Sequence, residues 1–185
     1  EKTLRGIENQ YYRATYKSMG YSTDDLKSPI ISIANSWNEG VPGHFNLRQV
    51  AQRVRDGIYR AGGTPVEFGT IACCDGMAQG HDGMNYSLVS REMIANMVEI
   101  HALAHPYDGV VLTSSCDKAI PAHLMAAARF DMPTIHVPGG TMSPGKGGLT
   151  LEKIGTYAAQ LERGEITEEE FIEYQNEACP NCGSC

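Results

Sequence analysis

No apolar run in this chain approaches the roughly 18 residues that a membrane-spanning helix needs, and no charged-then-apolar leader pattern opens it. A cytoplasmic protein without a membrane partner is the expectation. An excess of basic residues is also missing. The formal charge is −7 and spread along the chain, apart from a mild acidic cluster over residues 165–173. That balance supplies no footprint for nucleic acid. Internal repeats and low-complexity tracts are absent too. What is present, 42% hydrophobic and 20% charged residues in a chain of 185, suits one globular domain with a real core.

The six cysteines are Cys73, Cys74, Cys116, Cys179, Cys182 and Cys185. Without a secretory leader they do not read as a disulfide framework, so metal or catalytic use is the better reading. Cys73 also fits a small buried hydrophobe in a strand.

Apolar, β-branched residues from Ser28 to Ile33 predict a buried strand that runs into the polar Asn35-Ser36-Trp37-Asn38. Leu47, Val50, Ala51, Val54, Ile58 and Ala61 then recur at helical spacing until Gly62-Gly63 supplies the stop. A second strand is expected over Pro65 to Ala72, and a second helix, capped by Ser87 or Ser90, carries Met93 to Ala104. Gly109 to Thr113 predicts a third strand, Ile120 to Phe130 a third helix and Thr134 to Val137 a fourth strand. This alternation implies an α/β fold: a parallel β-sheet flanked by helices in three layers, with right-handed crossovers. Two polar helices are expected after Thr150, the second opened by Thr167 with Glu170 at capping-box spacing.

Ligands of such sheets gather in the loops beyond the carboxyl ends of the strands. The unusual polar clusters fall in those loops: Asn35 to His44, Cys73 to His81, Ser114 to Lys118 and Pro138 to Lys146. The run Cys179-Pro180-Asn181-Cys182-Gly183-Ser184-Cys185 puts three thiols in one short loop, close enough to share an iron–sulfur cluster or one zinc ion. Cys74-Asp75 and Cys116-Asp117 each pair a soft sulfur with a hard carboxylate. If their strands are adjacent, the two aspartates converge on one magnesium. As single residues, both aspartates also suit helix N-caps. His44 and His81 fall in the same mouth, where they suit contact with a substrate carboxylate or a supporting role behind the ligands. Gly139-Gly140 suits either a turn or a close approach of backbone to ligand.

Several ordered stretches carry a resemblance: Ala34-Asn35-Ser36-Trp37-Asn38-Glu39, Pro42-Gly43-His44, Ala61-Gly62-Gly63-Thr64-Pro65-Val66-Glu67-Phe68, Cys74-Asp75-Gly76-Met77-Ala78-Gln79-Gly80-His81, Tyr86-Ser87-Leu88-Val89-Ser90-Arg91-Glu92, Ser115-Cys116-Asp117-Lys118, Gly139-Gly140-Thr141-Met142 and the Cys179 to Cys185 run. With these motifs the chain resembles the dihydroxy-acid dehydratase and phosphogluconate dehydratase family over nearly its whole length. The resemblance implies Cys116 and Cys185 as iron–sulfur ligands, and Asp75 and Asp117 as Mg2+ ligands. Lys118 matches a lysine that carries CO2 as a carbamate and joins the magnesium shell. One branch of the family has a further cluster cysteine where this chain has Gly43. The other branch lacks it, which makes Cys182 the expected third ligand and a 4Fe–4S cluster the first choice, with 2Fe–2S the alternative.

The implied enzyme is a hydro-lyase that turns a 2,3-dihydroxy carboxylic acid into a 2-keto acid, first of all in branched-chain amino acid biosynthesis. Lys118-Ala119-Ile120-Pro121-Ala122-His123 departs from the Ile-Thr-Pro-Gly-Met usual after that lysine in branched-chain enzymes, which keeps a sugar-acid substrate as the alternative. The resemblance further implies a homodimer or higher homo-oligomer. Residues 1–185 then read as the truncated N-terminal domain of a larger two-domain enzyme, inactive by itself, with the general base in a C-terminal domain. A non-catalytic zinc module and an electron carrier are the competing classes.

Overall fold

In the computed structural model, which describes residues 7–185, four strands form one all-parallel sheet in the order β2-β1-β3-β4. A short helix α1 (Gln10–Ser18) precedes β1 (Ile30–Asn35), α2 (Leu47–Arg60), β2 (Thr64–Gly69), the single-turn α3 (Asp75–Ala78) and α4 (Ser87–Ala104). Then follow β3 (Gly109–Ser114), α5 (Ala119–Arg129), β4 (Thr134–Pro138), α6 (Leu151–Glu162) and α7 (Glu168–Ala178). The expected α/β architecture is the one observed.

The two central strands are the apolar ones. Ile33, Ala34, Leu112 and Thr113 are buried, whereas the outer strand β4 leaves Ile135 exposed. The chain steps from β1 to β2 in one direction and then recrosses β1 to reach β3 and β4. Right-handed crossovers therefore put α2 on one face of the sheet and α4 with α5 on the other. Ile94, Ala95, Val98 and Ala102 of α4 and Ala119, Ala122 and Ala126 of α5 pack on Ala34, Val110 and Leu112 as one core. The alanines let the two helices sit close to the sheet and to each other. Tyr16, Leu26, Ile30 and Tyr107 form a second, aromatic cluster with Tyr12 and Tyr21.

Two expectations are corrected. β2 and β3 are not neighbours, because β1 lies between them. Nor does Ser87 or Ser90 cap α4: the helix begins at Ser87, whose hydroxyl donates to Asp75 instead, and the Ser90 hydroxyl donates to the Ser87 carbonyl. The other cap is as read. Thr167 Oγ1 accepts from the Glu170 amide at 3.2 Å while the Glu170 carboxylate accepts from the Thr167 amide at 2.8 Å. Thr167→Ala is expected to cost about 1 kcal/mol, read as a lower denaturation midpoint and faster amide exchange in the first turn of α7.

Candidate active site

The order β2-β1-β3 places a topological switch point at the carboxyl end of β1, where loops leaving on opposite sides leave a crevice. The loops after β2 and β3 meet over that end from either side. This is how Asp75 and Asp117 come together although their strands do not pair. Both carboxylates close on the Lys118 ammonium: Asp75 Oδ2 accepts from Nζ at 2.5 Å, and Asp117 Oδ2 accepts in a shorter contact. The Lys118 side chain is 15% exposed. Ser87 donates to the other Asp75 oxygen at 2.5 Å. Burial alone would raise the Asp75 carboxyl, but the bonds from Lys118 and Ser87 outweigh it and hold it below the usual range. Lys118 is pushed above its ordinary value by its bonds to Asp117 and Asp75. Neither aspartate serves as a helix N-cap: Asp75 is the first residue inside α3, and Lys118 occupies the cap position of α5.

Cys116 has φ of +65°, the only left-handed non-glycine backbone among the described residues. Such a conformation costs on the order of 1 kcal/mol or more and persists only where its surroundings impose it. Here the Cys116 amide donates to Ser184 Oγ at 2.8 Å, and the preceding carbonyl, of Ser115, stands 2.8 Å from His44 Nε2. His44 Nδ1 lies 2.7 Å from the Ser36 carbonyl. Burial lowers the His44 pKa, against the opposing pull of the two carbonyls. The ring thus spans the Ser36 and Ser115 carbonyls through its two nitrogens.

The Cys185 end reaches this place by backbone pairing. Met142 donates to the Ser184 carbonyl at 2.8 Å, and Ser184 donates to Gly140 at 3.0 Å. A side chain at 183 would run into the Met142 amide, 2.4 Å from a Cβ built there, so only glycine permits the approach. Gly140 takes φ of +96° to turn the β4 loop towards this pairing. Gly139-Gly140 thus serves the protein's own backbone.

The result is a cavity of about 350 Å³ lined by Cys74, Asp75, Cys116, Asp117, Ile120, Pro121, Ser184 and Cys185. Behind it lies a smaller one of about 110 Å³, with Cys74, Cys116, Cys179 and Cys185 among its walls beside Met77, Met142 and Leu151. A larger hollow, about 590 Å³, between α6, α7 and residues 146–149 holds the stacked Tyr157 and Tyr174 and none of the strand-end loops. The structure thus brings together Cys116, Cys185, Asp75, Asp117 and Lys118. It leaves out Cys182, which is exposed and lines neither cavity. His44 is fully buried behind the site, and exposed His81 accepts from the Gly83 amide at 3.0 Å outside both cavities.

Sequence reasoning did not find Ser184 and Ser87, which hold Cys116 and Asp75, or the cavity position of Cys74. The signal for Ser87 was its place in a motif and at an expected cap; nothing in the pattern marked Ser184. Among the described residues no three His, Cys, Asp or Glu side chains are gathered tightly enough to hold a metal ion as they stand. The donors instead line one space, three thiol residues (Cys74, Cys116, Cys185) and two carboxylates (Asp75, Asp117). That division fits a soft iron–sulfur group beside a hard divalent cation. Among the described residues no helix is long and apolar enough to cross a membrane.

Residues 28–185 match the family described as dihydroxy-acid/6-phosphogluconate dehydratase, N-terminal. The chain is 50% identical over 184 residues to a dihydroxy-acid dehydratase of Caldanaerobacter subterraneus subsp. tengcongensis, covering 98% of this chain and 33% of the relative. It is 48% identical to that of Acetivibrio thermocellus, again over 98% of this chain and 33% of the relative. A dihydroxy-acid dehydratase of Clostridium pasteurianum matches at 47% over 100% of this chain and 66% of its own length. The chain therefore spans about a third of the length of the first and second of these relatives. With the ordered motifs converging on one crevice and this similarity running the length of the chain, the protein belongs to the dihydroxy-acid/6-phosphogluconate dehydratase family, whose N-terminal part it represents.

Proposed function

We propose that the enzyme containing this chain is a hydro-lyase that removes water from a 2,3-dihydroxy carboxylic acid to give a 2-keto acid. The observation that carries this reading is the 350 Å³ cavity lined by the thiol residues Cys74, Cys116 and Cys185 and by Asp75 and Asp117, whose carboxylates meet at Lys118. Cys116 and Cys185 would hold an iron–sulfur cluster. Asp75, Asp117 and a carbamylated Lys118 would hold Mg2+. When bound, the two groups supply Lewis-acid activation of a leaving hydroxyl and charge for the substrate carboxylate and its neighbouring hydroxyl.

The chain's own residues prepare that chemistry. Ser184 and the Ser115–His44 contact fix the strained Cys116 backbone, and Ser87 orients the Asp75 carboxylate. Proton removal from C2 falls to a group outside these residues and contributes roughly 10² to 10⁴ in rate. Ile120 and Pro121 give the cavity an apolar wall next to Asp117. That wall favours a branched alkyl substrate over a polyhydroxylated sugar acid, which would leave hydroxyls unpaired against it. Thiols kept free for a cluster suit the reducing cytoplasm.

The test is anaerobic purification of the full-length enzyme with metal analysis and assay of both substrate classes. Iron, acid-labile sulfide and turnover of the branched dihydroxy acid are expected. Zinc alone, at one ion per chain, would turn the reading into that of a zinc module, and reversible reduction without any hydroxy-acid turnover into that of an electron carrier.

A further inference from the structure

The dehydratase reading needs a third thiolate beside Cys116 and Cys185, and the cysteine run nominates Cys182. Yet Cys182 lines neither of the two cavities that Cys116 and Cys185 border. We infer that the third cluster thiolate is Cys74, from the loop after β2, so that Cys74, Cys116 and Cys185 seat a 4Fe–4S cluster. The inference rests on the dehydratase reading and names one ligand within it.

Three observations carry it. First, the residues shared by the walls of the two cavities are Cys74, Cys116 and Cys185, and no others. The three thiol-bearing residues therefore form the partition between the substrate-sized mouth and the space behind it. Cys179 borders only the rear cavity.

Second, the loops after β2 and β3 present the same pair in the same order. Cys74 precedes Asp75 as Cys116 precedes Asp117, so each loop that brings a carboxylate to Lys118 brings a sulfur to the partition. Cys74 is nearly buried at 8% exposed, with Met77, Met142 and Leu151 on the rear wall. An apolar surround of this kind limits solvent access to a cluster.

Third, the remaining loop of the crevice has no room to supply a thiol. A Cβ built on Gly43 would lie 2.2 Å from Cys116 Sγ, far inside contact distance, with Gly183 backbone oxygen 3.3 Å away on another side. A cysteine at 43 and this placement of Cys116 exclude each other. The vacancy in that loop is compensated from β2. Three thiolates leave one iron of a four-iron cluster without a protein ligand, as a Lewis-acid site requires.

The experiment uses the full-length enzyme, reconstituted anaerobically as wild type, Cys74→Ser and the double variant Cys179→Ser/Cys182→Ser. Iron and acid-labile sulfide per chain are measured with the electron paramagnetic resonance of the reduced protein. Cys74→Ser is expected to lose iron affinity by about 10-fold or more and to change the resonance of whatever cluster remains. The double variant, altered only at exposed side chains, is expected to keep the wild-type iron, sulfide and spectrum; it bears on the assignment even if Cys74→Ser fails to fold. A Cys74→Ser protein with full iron and an unchanged spectrum overturns the assignment, and so does loss of the cluster from the double variant. A wild type without iron and sulfide removes the dehydratase reading itself, whereas a normal wild-type cluster that survives Cys74→Ser removes only Cys74.

Discussion

Replacing Lys118 by alanine in the full-length enzyme is expected to lower turnover by about 100-fold or more, roughly 2.7 kcal/mol of transition-state stabilisation, while iron content and fold persist. The charge balance of the site gives the reason. With Lys118 as an ammonium between Asp75 and Asp117, the set carries one net negative charge. A carbamate in its place raises that to three, and a bound Mg2+ returns it to one. The bonds from Asp117 and Asp75 already hold the ammonium form above its ordinary pKa, so CO2 and Mg2+ are expected to bind together or not at all.

Alanine removes this coupling and leaves two carboxylates facing each other. The magnesium shell loses a donor, and a displacement of about 1 Å at a reacting centre is enough for a loss of this size. Cluster assembly would rest on the thiols of Cys116 and Cys185, which the substitution leaves in place. The folding cost is expected to be small, because the carboxylates left behind remain open to water, Asp117 at 72% and Asp75 at 28% exposed. Turnover at saturating Mg2+, iron per chain and the thermal midpoint check the three parts. Near-normal turnover, or loss of the cluster together with activity, would show the assigned role to be wrong.

Lys118 was singled out by the family resemblance; of its two carboxylate partners Asp117 is its chain neighbour, whereas Asp75 comes from another loop. The four strands and the main helices were legible because their hydrophobic periods report local geometry. The strand order was not legible in that way. Whether the chain returns past β1 after β2 depends on which face α4 covers, and a wide apolar helix with Ile94, Val98 and Ala102 buried gives no sign of its side. The placement of the thiols was not legible for a similar reason. The even spacing of Cys179, Cys182 and Cys185 treats the three alike, while the pairing of Ser184 with Gly140 and Met142, about forty residues away, brings Cys185 to the cavities and leaves Cys182 out of both. Ser87 was read as a cap because its helix position is local, whereas its partner Asp75 is on another element.

Acid is expected to unfold the metal-free intact protein through a histidine that no motif singled out as titratable. His123 is fully buried on α5. Its Nε2 stands 3.1 Å from Ser36 Oγ, which in turn bonds Thr70 Oγ1 at 2.7 Å. Nδ1 is buried without a hydrogen-bond partner among the described residues. Burial first, then the nearby His136 and His44, push the His123 pKa down to about 3; His44 and His136 are themselves lowered, chiefly by burial. The sign follows from the proton count. Between the ordinary histidine value near 6.5 and about 3 the unfolded chain holds a proton at this position that the folded chain refuses. Stability is therefore whole above roughly pH 6.5 and falls progressively as pH drops towards 3, by a few kcal/mol in order of magnitude. Asp75, with its pKa lowered, adds to the loss at the acid end. His123→Gln does not titrate and can still bond Ser36. Denaturant midpoints measured from pH 7 to pH 4 are expected to fall steeply for the wild type and distinctly less for this variant. Parallel curves would mean that His123 accepts its proton in the folded state and that the acid limb has another source.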